Sequence, residues 1–92
     1  MSPAERQQAR LSLLRYLDAA AESAPGRGIG EAVLQQYLVA EGFSGGAQMA
    51  KAELTYLEEK GLVVKVAKSF SPELPVWRIT AAGRDAYAQA IA

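Results

Sequence analysis

The sequence predicts a mostly helical α+β domain: three helices, a small β-hairpin and a closing helix. Three observations predict it. Residues 44–61 place Ala50, Leu54 and Leu57 at helical spacing and end in Gly61. The Leu62–Ala67 stretch that follows is rich in valine, and Val76–Ile79 supplies a second β-prone run across a Ser/Pro-containing turn. Two further leucine-rich helical stretches lie upstream.

Taken in order, residues 4–22 read as the first helix. Pro3 suits its first turn, and Leu11, Leu14, Leu17 and Ala21 follow helical spacing, with Leu13 widening the apolar stripe. Ser23–Gly28 breaks that helix, because Pro25 disfavours a helical Ala24 and two glycines follow. Ile29, between glycines, fits a very short strand. A second helix spans about 31–41, with Val33, Leu34, Tyr37 and Leu38 as its expected inward face, and Gly42 stops it before an inward-packing Phe43. Ser44 is the expected N-cap of the third helix, although Gly45 and Gly46 weaken its start. Gly61 suits the C′ position. Ser69–Pro75 joins the two hairpin strands, and Thr80 caps a last helix over 81–91 that packs through Ala86, Tyr87 and Ala90.

Ninety-two residues fit one domain, 1–92, with no internal repeat or linker. A chain of this size buries about 60–65% of its unfolded surface. The absence of cysteine removes disulfides and thiolate metal sites, and the absence of histidine removes the commonest general base and metal ligand. No nucleophile–base pair, metal set or cofactor loop is visible, so neither an enzyme, a cofactor nor a bound metal is expected. No apolar run reaches the roughly 18–20 residues that cross a bilayer, and the polar N-terminus is unlike a signal peptide. A soluble, cytoplasmic protein without membrane association is the expectation.

Ten basic residues balance ten acidic ones. They are unevenly spread: Arg6, Arg10 and Arg15 face only Glu5 within residues 1–15, and Lys65, Lys68 and Arg78 face only Glu73 within 62–79. Glu53, Glu58 and Glu59 make the end of the third helix acidic.

The Leu54-Thr-Tyr-Leu57-Glu-Glu-Lys-Gly61-Leu-Val63 run, followed by a hairpin and Trp77-Arg-Ile-Thr-Ala-Ala-Gly83, resembles the winged helix-turn-helix superfamily of bacterial regulators. More narrowly, the chain is similar in layout to a small winged-helix family of Mu-like phages and prophages, often labelled ArsR-like. The shared features are the leucine-rich first helix, Val33-Leu34, the Gly42-Phe43-Ser44 turn and the Leu-x-x-Leu-x-x-x-Gly-Leu core. The resemblance covers nearly the whole length. It implies double-stranded DNA as partner, with the third helix in the major groove and the hairpin wing on the backbone, in a transcriptional regulator. A homodimer through the first and last helices is expected, because specific sites usually need paired half-sites.

The residues that suit this role are Gln48, Lys51 and Thr55, on the face of the third helix opposite its leucines. Gln48 can pair with adenine edges, Lys51 can reach guanine or phosphate, and Thr55 can donate to phosphate. Lys65 and Lys68 in the wing, with Arg78 on the returning strand, suit phosphate contacts, and Arg27 is a further candidate. The same residues also suit a solvated helix face and edge-strand lysines that discourage aggregation. Trp77, Tyr56, Tyr16 and Tyr37 sit within periodic elements, which favours core or dimer packing over a stacking platform. Glu58-Glu59 diverge by about 100° on a helix and form no catalytic pair. Gly26–Gly30 lacks the strand and the Gly-Lys-Ser/Thr ending of a phosphate loop. The alternative function is a winged-helix protein-interaction module that does not bind DNA, favoured by zero net charge, the Gly45-Gly46 start and the acidic helix end.

Overall fold

Ser2 and Pro3 set where the chain becomes helical. The Ser2 hydroxyl accepts the Glu5 N–H at 3.1 Å and proline occupies the first helical position, so α1 runs Pro3–Ser23. The computed structural model describes residues 2–66 and 75–92. Lys68 and the expected loop over Ser69–Pro75, apart from Pro75, lie outside the described residues. After α1 come β1 (Ile29–Gly30), α2 (Glu31–Ala40), α3 (Gly46–Glu59), β2 (Val63–Lys65), β3 (Val76–Ile79) and α4 (Ala81–Ile91). Among the described residues this is a mostly helical α+β fold, four helices with one small antiparallel sheet.

The two-residue strand at Ile29 enlarges the expected hairpin to a three-stranded sheet of order β1-β3-β2. Ile29 pairs with Trp77 and Gly30 with Val76, while Val63, Val64 and Lys65 pair with Ile79, Arg78 and Trp77. The core gathers Leu13 and Leu17 of α1, Leu34 and Leu38 of α2, Met49, Ala50, Leu54 and Leu57 of α3, and Val63, Trp77 and Ile79 of the sheet. Each fully buried leucine contributes about 1.5–3 kcal/mol relative to exposure. Trp77 is a core residue and does not belong to an exposed stacking surface.

Leu34 and Leu38 face inward as expected, but Val33 and Tyr37 are each 39% exposed. They sit one helical step around from the leucines, where α2 borders an open groove, and Tyr37 meets Tyr16 of α1 with ring centroids 4.6 Å apart. Ala90 is exposed too; α4 reaches the core through Tyr87.

Ser44 does not cap α3. The capping position falls on Gly45, which supplies no side-chain hydrogen bond. The Ser44 hydroxyl instead donates to Glu5 Oε1 at 3.1 Å, because α1 brings a carboxylate to this turn. A tertiary acceptor has replaced the local one.

The junction of α3, β2 and α4 is built as one unit. Gly61 takes φ +76 to end α3, and its carbonyl accepts the Thr80 hydroxyl at 2.7 Å. The same Thr80 oxygen accepts the Gly83 N–H at 3.0 Å, and the Thr80 N–H donates to Leu62 O. Gly83 then lies so close that an added Cβ would stand 2.1 Å from Leu62 O. The Thr80-x-x-Gly83 spacing is thus a cap joined to a close backbone approach.

Candidate nucleic-acid interface

The third helix divides cleanly by burial. Met49, Ala50, Glu53, Leu54 and Leu57 face inward, and Gln48, Lys51, Ala52 and Thr55 are exposed together at i, i+3, i+4 and i+7. Of the expected contacts on this helix, Gln48 and Lys51 are exposed, with no side-chain hydrogen bond to another of the described residues. Thr55 is exposed, but its hydroxyl donates to Lys51 O at 2.9 Å, so its proton is used within the helix.

Glu53 is not part of a solvated acidic helix end. It is completely buried, with each carboxylate oxygen held by a different arginine of α1. Arg10 Nε donates to Oε1 at 2.6 Å and Arg6 Nε to Oε2 at 3.2 Å. The Arg10 guanidinium also lies 3.8 Å above the Tyr56 ring. The signal for this triad was present in the residues: Glu53 sits three positions after Ala50, on the apolar stripe itself, and Arg6 and Arg10 share one face of α1. A carboxylate at a core position needs donors, and α1 supplies them.

The other described arginines of α1 and α4 are likewise paired. Arg15 bridges to Glu41, and its guanidinium is held charged still more firmly than usual, chiefly by its hydrogen bond to the Tyr16 hydroxyl and then by Glu41. Arg84 reaches Asp18 at 3.0 Å and Glu22 at 2.7 Å. The Asp18 hydrogen bond leads the causes that raise its pKa. Lys51, Lys65, Arg27 and Arg78, by contrast, have no carboxylate partner among the described residues. Zero net charge therefore hides a sorting among the described residues: the arginines of α1 and α4 pair with acids within the scaffold, while Lys51, Lys65, Arg27 and Arg78 stay open.

Lys65 is exposed at the end of β2, with Nζ 5.4 Å from the Trp77 ring centroid. It pairs across the ladder with Trp77, whereas Arg78 pairs with Val64. The two cations therefore occupy opposite faces of the sheet and cannot grip one phosphate together. Arg27 is exposed elsewhere, in a groove of about 570 Å³ that includes Tyr16, Ser23, Ile29, Val33 and Tyr37. That groove is lined by α1, β1, α2 and the turn between α1 and β1, not by α3.

A second buried carboxylate supports α2. Glu31 opens that helix and accepts the Trp77 indole N–H at 3.0 Å, while its own N–H donates to Pro75 O at 2.9 Å. Among the described residues no helix is long and apolar enough to cross a membrane, and no group of three or more acidic side chains is placed to hold a metal ion.

No protein-family model matches this chain, and comparison with curated proteins finds no significant match.

Proposed function

We propose that this chain is a winged-helix DNA-binding protein, a regulator of phage or bacterial transcription. In this reading α3 enters the major groove and presents Gln48 and Lys51 to base edges and phosphates, while the β2–β3 wing sets Lys65 on the flanking backbone. Two copies joined through α1 and α4, where Ile91 is 63% exposed, would read paired half-sites. The observation that carries the reading is the charge sorting: the outward side of α3 and the end of β2 keep lysines without carboxylate partners among the described residues. Element order supports it, since α3 is followed directly by the antiparallel strands β2 and β3.

The test is binding to random duplex DNA at three salt concentrations. Affinity should fall steeply with salt, and each lysine removed by Lys51→Ala or Lys65→Ala should reduce the log–log slope by about 1. Gln48→Ala should relax sequence preference and leave the slope nearly unchanged. Negligible binding of wild type, even at low salt, would overturn the reading. It would favour instead a protein-interaction module, for which the exposed Val33 and Tyr37 beside the Arg27 groove are the supporting observation.

A further inference from the structure

The geometry points to Arg6 as a DNA-backbone contact that Glu53 holds in place, an inference that rests on the DNA-binding reading above. The two arginines on Glu53 are not equivalent. Arg10 makes the shorter hydrogen bond, 2.6 Å, lies on the Tyr56 ring and has a side chain only 25% exposed. Arg6 makes the longer one, 3.2 Å, and its side chain is 48% exposed. Arg10 is the closer and more buried partner of the Glu53 carboxylate. Two arginines on one carboxylate leave the cluster with one net positive charge, and Arg6 is its more exposed member.

Arg6 engages Glu53 through Nε. Its two terminal nitrogens have no acceptor among the described residues, and they carry four more N–H donors in a planar fork that suits phosphate. Arg6 lines an open cleft of about 420 Å³ together with Gly45, Gln48, Met49, Ala52 and Glu53. Gln48 is the residue proposed to read bases, so Arg6 stands beside it on the flank of α3. A cation on that flank meets the sugar–phosphate edge of the groove, not its floor.

Gly45 lines this cleft directly against Met49. Its φ is an ordinary −77, yet an added Cβ would stand 2.5 Å from Met49 Cβ. The glycine at the start of α3, which looks like a weakness in the sequence, lets that start pack closely on Met49. Glu53 contributes pre-ordering. A guanidinium already fixed by a buried carboxylate loses less freedom on binding than a free surface lysine does.

The experiment compares wild type, Arg6→Ala, Arg6→Gln, Arg6→Lys and Arg15→Ala for random-duplex binding across salt, with thermal melts to confirm folding. Arg6→Ala is expected to weaken binding about tenfold, the value of one charge-assisted contact, and to lower the slope by about 0.9. Arg6→Gln should do the same, and it serves alone if the alanine variant fails to fold. Arg6→Lys should keep the slope, because one cation remains at the position. Arg15→Ala removes the same formal charge but is neutralised by Glu41 and does not line this cleft, so affinity and slope should hold. If wild type binds duplex while the neutral Arg6 variants match Arg15→Ala, the inference is overturned and the DNA reading stands. If wild type binds no duplex, both fall.

Discussion

The indole N–H of Trp77 donates to the carboxylate of Glu31 at 3.0 Å, across 46 residues of chain and with both side chains buried. The bond joins the middle of β3 to the first turn of α2. It satisfies a donor and an acceptor that would each be costly alone in the core. A negative group at the start of α2 also matches the positive end of that helix's dipole.

Trp77→Phe should therefore cost about 2–4 kcal/mol, combining lost volume with a buried carboxylate left without its donor. Adding Glu31→Leu should recover part of that loss, giving a coupling of about 0.5–3 kcal/mol in a double-mutant cycle read by chemical denaturation. Strict additivity of the two changes would show that the bond contributes nothing.

The two arginines on Glu53 should separate in stability. Arg10→Ala leaves a buried charge with only the longer, half-exposed partner, and should cost about 3 kcal/mol. Arg6→Ala, with its side chain half in water, should cost about 1 kcal/mol. Urea midpoints of the two variants check the order, and the reverse order would contradict the assignment of Arg10 as the closer and more buried partner.

Gly83→Ala should destabilise even though alanine gains about 1 kcal/mol over glycine inside a helix. The new Cβ would meet Leu62 O, a backbone atom that cannot rotate away, so α4 must lift from the β2 entry at an overpacking cost of about 1–3 kcal/mol. A melting temperature equal to or above wild type would show that this contact is looser than described.

Stability should be flat between about pH 6 and 8, since the chain has no histidine. Change is expected on the alkaline side. Burial, the leading cause, raises the Tyr16 pKa above its ordinary 10.0. The folded state thus holds the Tyr16 proton more tightly than the unfolded chain does. The associated stability is fully present below about pH 10 and is lost as pH rises through the folded value. Tyr16→Phe should shrink that alkaline loss in a melting-temperature series, and an unchanged pH profile would assign the loss to other groups.

Much of the architecture was legible in the residues because it depends on near neighbours. Leucine spacing placed α1 and α3, Gly61 and Thr80 marked the ends on either side of the hairpin, and the isolated Ile29 marked a very short strand. The outward set Gln48, Lys51 and Thr55 followed from the same periodicity. These are relations over three or four positions, which hydrogen-bond geometry and side-chain period decide locally. Tertiary structure alone decided the rest. Ser44 turned from capping its own helix to Glu5, 39 residues away, and Glu53 turned from a solvated acid into a buried one held from 43 and 47 residues away. Lys65 and Arg78 were parted by the register of β2 on β3. The sequence by itself determined which segments are helix or strand and where the leucine stripes of α1 and α3 lie, but not that Val33, Tyr37 and Ala90 stay exposed. Which charges are neutralised, and which remain open toward a partner, was decided only when packing brought distant donors to buried carboxylates that cannot stay unpaired.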